Sequence, residues 1–358
     1  VTGVQTCALP ICRAGDCGRA LTLVDGLGAG HRVADAPLAA RVEDTERACQ
    51  LLRTATDDLT AGLTGDTAAL RAGFDRLGTV LAELPGHQEM VRAALETFLD
   101  SLPTGDPCVT ATITDWLGER PADGGVLDRV GEVAPWHAPP ALVGCGDALI
   151  AAGDWPRARA RYQQLLAQYP GHAYAGKARA GVDRASRAIE LANVRELLET
   201  SSATTQPEYC DKPAPYRGAA PYRRGRVNRA LLFGDDEYTS KLPASWRARD
   251  AADAVLVICV DEAEFGDRVR TCPYESKLSI MGYRDVTFRK VAIPVRAYEV
   301  RTGRLVADTK LQISGKSCPA VLKYTRYLVA DLGPPSEVHV TPSTSNVHAA
   351  FRSLIAPR

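Results

Sequence analysis

The ten cysteines are the residues of this sequence whose chemistry is most narrowly limited by their spacing. None belongs to a Cys-x-x-Cys pair or to a close Cys/His cluster, so a structural zinc site is not expected. Eight scattered cysteines form an even set, which favours four disulfides in an oxidising compartment; the alternative is a cytoplasmic, regulatory protein with reduced thiols. The eight are Cys17, Cys49, Cys108, Cys145, Cys210, Cys259, Cys272 and Cys318.

One pairing of these cysteines is favoured among the many that eight residues allow. Two bonds would join predicted helices that are neighbours along the chain, and each is expected to add roughly 3 to 4 kcal/mol of stability. A third would tie a proline-rich segment to a predicted strand, and a fourth would close a hairpin between two Cys-Pro dipeptides. The expected bonds are Cys17–Cys49, Cys108–Cys145, Cys210–Cys259 and Cys272–Cys318.

No motif for catalysis is present in the sequence. A Gly-x-Ser-x-Gly elbow, a phosphate-binding glycine loop that ends in lysine and a His-Glu-x-x-His pair are all absent. The histidines are dispersed through predicted loops and helix ends, where solvated imidazole is usual. We therefore predict a protein that is not an enzyme and has no cofactor. The six are His31, His87, His137, His172, His339 and His348.

A short acidic cluster follows a predicted buried strand. Asp261, Glu262 and Glu264 could bind calcium through carboxylate oxygens, but the alternating ligand spacing and the turn glycine of a calcium loop are missing. A charged loop is the favoured interpretation. The alternative is a hydrolase or sugar-binding site, lined by these acids together with Trp246, Tyr274 and Tyr283.

A second candidate surface interleaves aromatic and basic residues near the middle of the chain. This composition is typical of surfaces that bind single-stranded nucleic acid or an anionic wall polymer. Because Lys+Arg and Asp+Glu are balanced at 43 each, binding of bulk nucleic acid is not expected. We favour a solvated hinge whose tyrosines pack on the following domain. The residues are Tyr216, Arg217, Tyr222, Arg223, Arg224 and Arg226.

The elements that must position these residues change character along the chain, which predicts a multidomain protein. Residues 1–11 resemble the in-frame translation of a common sequencing adapter, and 1–12 are treated as an artefact. Apolar residues at helical spacing predict an all-α domain over 13–200. Closely spaced prolines then predict a linker over 201–229.

From residue 230 onward the apolar period becomes two, which predicts a small α+β domain with an antiparallel sheet over 230–358. A Gly-bearing turn at 301–303 predicts a hairpin between the two longest strands. The predicted strands are 254–260, 269–274, 286–300, 305–313 and 337–340, with a closing helix over 345–354.

The clearest helix pair, over 140–173, resembles a tetratricopeptide repeat. Its small residue matches Gly146, its turn matches Gly153, its packed alanine matches Ala158, its aromatic matches Tyr162 and its closing proline matches Pro170. In that family small residues let paired helices approach closely, and the aromatic fills the gap to the next pair. The resemblance implies a degenerate helical solenoid whose surface binds a protein or peptide.

Composition and resemblance together predict a compartment and a function. Only eight of the basic residues are lysine, and alanine and glycine abound, which favours a GC-rich, actinobacterial genome. The phrase over 295–307 resembles a strand-turn-strand of envelope and lipoprotein domains. We expect a bacterial, extracytoplasmic interaction or scaffold protein with a partner in the cell envelope, and a signal peptide or membrane anchor upstream. The alternative is a cell-envelope hydrolase or carbohydrate-binding module with its site in the β domain.

Overall fold

The computed structural model describes Cys17, Thr22 and residues 36–358, except 123, 203–204, 277–281 and 325–332. Helices are followed by a sheet, as expected, and the chain divides into two compact units, 1–186 and 187–358. The segment 1–12 lies outside the described residues. The boundary between the units falls inside a helix, earlier than the predicted boundary at residue 200.

The helices that begin in the first unit follow one another with short breaks. Asp-containing breaks set several of the helix starts: Asp66 accepts hydrogen bonds from the N–H groups of Ala68 and Ala69, and Asp154 accepts one from Arg157. The helices are α1 (Ala36–Gly62), α2 (Thr67–Glu83), α3 (Gln88–Leu99), α4 (Pro107–Gly118), α5 (Arg129–Ala151), α6 (Trp155–Gln168) and α7 (Ala175–Leu197).

Two apolar clusters stabilise this unit. In the first, Phe74 of α2 packs edge-on against Phe98 of α3 and also against Trp116 of α4. In the second, Ala158 and Tyr162 of α6 are buried between α5 and the start of α7. The described helices therefore bury their apolar faces chiefly against sequence neighbours.

The second unit is built around one long central strand. One edge of β4 pairs antiparallel with β2 and β3, and its other edge pairs antiparallel with β5 and parallel with β6, while β1 lies parallel to β2. The strands are β1 (Ala230–Gly234), β2 (Leu256–Val260), β3 (Glu264–Glu275), β4 (Tyr283–Glu299), β5 (Arg304–Ile313) and β6 (Glu337–His339); the helices are α8 (Asp236–Thr239) and α9 (Thr344–Ile355).

The prediction of an antiparallel sheet is therefore wrong, because the sheet is mixed. For the parallel β1–β2 pair, the physical reason is the length of its connection. The chain between β1 and β2 includes α8 and is long enough to return to the same end of the sheet, as a parallel pair requires. The β4–β5 hairpin turns at Gly303, which has φ +68°, as its sequence predicts.

Both faces of the sheet are covered where β2 pairs with β4. Alternate residues of β2, Leu256, Ile258 and Val260, contribute to a cluster with Phe351 of α9. The residues between them contribute to a second cluster with Tyr209 and with the C-terminal end of α7. The predicted linker 201–229 is consequently part of this unit, since its residues 207–219 cover a face of the sheet.

Four disulfides join the described cysteines, and each lies within one unit. Their Cα–Cα distances, between 4.5 and 6.0 Å, are in the normal range. They coincide with the pairs favoured from the sequence, although Cys145 lies in the middle of α5 rather than near a helix start. Such bonds are typical of an oxidising, extracytoplasmic setting. The pairs are Cys17–Cys49, Cys108–Cys145, Cys210–Cys259 and Cys272–Cys318.

Candidate functional site

Two glycines flank the ring of Tyr162, the aromatic residue of the repeat resemblance. This ring lies between Gly146 of α5 and Gly181 of α7, and a Cβ on these glycines would come within 2.6 and 2.5 Å of it, respectively. The absence of side chains at both positions therefore lets the three helices approach each other. Gly181 was not predicted, because a glycine inside a helical pattern does not reveal which ring it faces.

The hydroxyl of Tyr162 is hydrogen-bonded to a carboxylate. It donates a hydrogen bond of 2.6 Å to Oδ1 of Asp147, and Nζ of Lys177 donates one of 2.6 Å to Oδ2. Partial burial acts to raise the pKa of Asp147, but the hydrogen bonds from Lys177 and Tyr162 outweigh it and lower that pKa. Burial raises the pKa of Tyr162, so its hydroxyl stays a donor.

The other residues of the resemblance lie in or beside the same helix pair. Ala158 is fully buried next to Tyr162, while Gly153 adopts φ +77° in the turn between α5 and α6. Pro170 is exposed in the turn that follows α6. These residues thus lie in the helices α5 and α6 or in the turns that follow them.

The most exposed aromatic side chain among the described residues lies on α5, the helix that also carries Gly146. Trp136 is 81% exposed and stands between exposed Glu132 and Pro140, one turn away on either side. Pro140 has no N–H, so the carbonyl of Trp136 lacks its usual donor one turn further along the helix. The exposure of Trp136 was not predicted, although the helical period indicates it. Ala134 and Ala138 are buried on one face of α5, and Trp136 lies on the opposite face.

The predicted tyrosine and arginine surface is divided by the fold. Tyr216 packs in a cluster with Tyr209, and Nε of Arg217 donates a 2.6 Å hydrogen bond to Glu190. The Tyr222 ring packs beside α9, and its hydroxyl donates to the carbonyl of Leu354. Arg223 and Arg224 are exposed, as is Arg226.

The residues of the alternative site do not converge as predicted. Oδ1 of Asp261 accepts a hydrogen bond from Gln206, and Glu264 forms an ion pair with Lys310. Trp246 is buried under α9, where its ring packs near that of His348. These residues therefore belong to three separate environments. Among the described residues, no group of three or more histidine, cysteine or acidic side chains could hold a metal ion.

Tyr274 and Tyr283 lie together near the end of the β3–β4 hairpin. They line a shallow hollow of about 510 Å³, together with Pro273, Glu275 and Asp285. The Tyr274 hydroxyl donates to the carbonyl of Pro319, next to the Cys272–Cys318 bond, while Tyr283 is 47% exposed. An exposed ring beside two carboxylates provides a stacking surface and hydrogen-bond acceptors.

These features define a disulfide-bonded protein with a helical unit and a mixed-sheet unit. Comparison with known protein families, curated proteins and solved structures finds no match to the chain. Of the helices in the described part of the chain, none combines the length and apolar character needed to cross a membrane.

Proposed function

We propose that the chain is a non-catalytic interaction protein of an extracytoplasmic compartment, and that its helical unit binds a protein or peptide partner. The observation that carries the proposal is the exposure of Trp136 on a helix of this unit. Tryptophan is enriched at the centres of protein interfaces, because its large ring buries much apolar area at little entropic cost. The ring offers an apolar anchor, and its indole N–H offers a hydrogen-bond donor.

The packing around Tyr162 supports a repeat-like scaffold for this surface. Stacked helix pairs create extended binding faces, and each pair needs only its neighbours for stability. The disulfide between Cys108 and Cys145 joins α4 to α5, the helix that carries Trp136. A tetratricopeptide-type solenoid in a bacterial, actinobacterial cell envelope, secreted or anchored, is the form of this proposal that the sequence favours.

Replacing Trp136 with alanine tests the proposed interface. The full chain and the Trp136→Ala variant would each be immobilised and exposed to an envelope extract of the organism that encodes the chain. We expect the wild-type protein to retain a defined partner, and the variant to retain it at least about 30-fold less tightly, as the loss of a hot-spot residue implies. The measurement is the dissociation constant of the retained partner after its purification.

A Tyr174→Ala variant is the matched control, because Tyr174 is a 40% exposed aromatic of the same unit. This control is expected to bind as the wild type does, and both variants should unfold at the wild-type temperature because neither ring is buried. Equal affinity of the Trp136 variant and the wild type for every purified partner would contradict the proposal.

A second candidate function, carbohydrate binding, is favoured by the hollow between Tyr274 and Tyr283. Aromatic rings stack on sugar faces, and Glu275 and Asp285 can accept hydrogen bonds from hydroxyl groups. We expect titration calorimetry with an N-acetylated amino-sugar oligomer to give millimolar binding that Tyr283→Ala abolishes. Phe265→Ala, at a 50% exposed ring outside the hollow, should leave it intact. Heat changes that are the same for both variants would exclude this function.

A further inference from the structure

The arginine turn, residues 223–228, is an ordered loop in the second unit. Asn228 is only 2% exposed, and its side chain ties both ends of the loop: Oδ1 accepts from the N–H of Arg223, and Nδ2 donates to the carbonyl of Arg223. Gly225 adopts φ +74°, which an L side chain rarely allows, so glycine is needed there. The turn is thus set by local hydrogen bonds rather than left as a solvated hinge.

The arginine turn is also fixed to the chain that follows α9. The N–H of Gly225 donates a 2.7 Å hydrogen bond to the carbonyl of Pro357, and the N–H of Asn228 donates one of 2.7 Å to that of Ile355. The hydroxyl of Tyr222, just before the turn, donates to Leu354. Its backbone therefore has partners on two sides, and its arginine side chains project from a constrained base.

The charges of this region are uneven. Residues 212–234 contain six basic residues and no acidic residue, although the whole chain has a formal net charge of zero. Three of the six are neutralised by acids from other parts of the unit: Lys212 by Glu208, Arg217 by Glu190 and Arg229 by Asp253.

The remaining three cations are those of the arginine turn. Arg223, Arg224 and Arg226 are exposed and take part in none of the ion pairs formed by the described residues. Three like charges within four positions repel one another. Because the three guanidinium groups are exposed, solvent screens this repulsion.

We propose that the arginine turn binds a linear polymer with repeated phosphate groups. A guanidinium presents a planar fork of N–H donors that matches phosphate oxygens, and three such forks on one constrained loop can contact successive phosphates. Anchoring the loop beforehand lowers the entropy lost on binding. Of the residues in the turn, only Val227 is a large exposed hydrophobic side chain, which is too little apolar surface for insertion into a bilayer.

Salt dependence is the property that distinguishes this mode of binding. If three phosphate contacts form, the affinity for a single-chain polyanion is expected to fall roughly 20-fold between 50 and 200 mM salt, through counterion release. Since the chain has no net charge, this dependence should come from the turn itself.

The experiment uses the full chain and inorganic polyphosphate, with binding measured by fluorescence anisotropy of labelled polymer. The test variant is Arg223→Gln, Arg224→Gln, Arg226→Gln. The matched control is Arg53→Gln, Arg71→Gln, Arg92→Gln, which removes the same charge from exposed positions of the helical unit. We expect the test variant to lose at least 10-fold in affinity and most of its salt dependence, and the control to lose less than 2-fold.

Other outcomes would overturn the proposal. Equal losses in the test and control variants would mean that binding follows net charge rather than the turn. Binding to vesicles that contain phosphatidylglycerol, without binding to polyphosphate, would identify a membrane surface instead. No binding of polyphosphate at 50 mM salt by the folded wild type would exclude the proposed ligand. Because Trp136 lies in the first unit, Trp136→Ala should leave polyphosphate binding unchanged.

Discussion

Replacing Tyr162 with alanine is expected to destabilise the helical unit by about 3 to 5 kcal/mol, the usual cost of removing a buried aromatic ring. The ring fills the space between Gly146 and Gly181, and neither glycine has a side chain that could move into the cavity. The three helices would have to shift toward each other to close it. Hydrogen–deuterium exchange of the α5, α6 and α7 amides measures this loss directly.

Two further variants separate the contribution of the ring from that of its hydroxyl. Tyr162→Phe keeps the ring and removes only the hydrogen bond to Asp147, so a loss of about 1 kcal/mol is expected. Gly181→Ala leaves the ring in place and introduces a clash, which should cost about 1 to 3 kcal/mol. Combined with Tyr162→Ala, the added methyl lies beside the cavity, so the double variant should lose less than the sum of the single losses. Additive losses, or a Tyr162→Ala cost near 1 kcal/mol, would show that the ring is not a wedge.

The order of helices followed by a sheet could be predicted because both periods are local properties of the chain. The apolar spacing of three and four residues in α6 buries Ala158, Tyr162 and Leu165 on one face. The alternation in β4 and the turn at Gly303 likewise give a hairpin, whose observed second strand is Arg304–Ile313. These signals depend on residues a few positions apart.

The errors arise where the outcome depends on distant residues. The strand Ala230–Gly234 was not predicted, and it pairs parallel with β2 across an intervening segment that no local pattern describes. The segment 207–219 has the proline content of a linker, yet Tyr209 is fully buried because the sheet provides a face for it. Proline excludes this segment from helix and central strand, but it does not prevent docking.

The candidate surfaces show the same division between local and distant information. Composition identified Arg217, Arg223 and Arg224 together. Only the fold shows that Glu190 neutralises Arg217, while Arg223 and Arg224 take part in none of the ion pairs of the described residues. Similarly, Trp246 and the acids near Asp261 have residue types suited to a sugar site, but their strands and helices place them apart. A residue type indicates what chemistry is possible, and its neighbours decide whether that chemistry is available.

Removing the buried disulfide of the second unit, by Cys210→Ala with Cys259→Ala, is expected to destabilise that unit about as much as Tyr162→Ala destabilises the helical unit. The bond closes a separation of 49 residues, and the loop-entropy model gives roughly 4 kcal/mol for such a loop. Both cysteines are fully buried, and the carbonyl of Cys210 accepts hydrogen bonds from Tyr298 and Arg296. Loss of the bond should therefore release the segment 207–219 from the sheet. Urea unfolding, with exchange of the β2 amides as a local probe, measures both effects.

The second disulfide of this unit provides the matched control, because Cys272–Cys318 closes a nearly equal separation of 46 residues but is only partly buried. The loop-entropy model alone predicts the same loss for both, whereas the docking argument predicts that only the Cys210–Cys259 change exposes the β2 amides. Equal hydrogen exchange of the β2 amides in the two variants would show that the buried bond stabilises the unit only by restricting the unfolded chain. With a typical domain stability of 5–15 kcal/mol, a loss of about 4 kcal/mol for each bond means that two missing bonds would consume most of it. Folding of this unit is therefore expected to require an oxidising compartment.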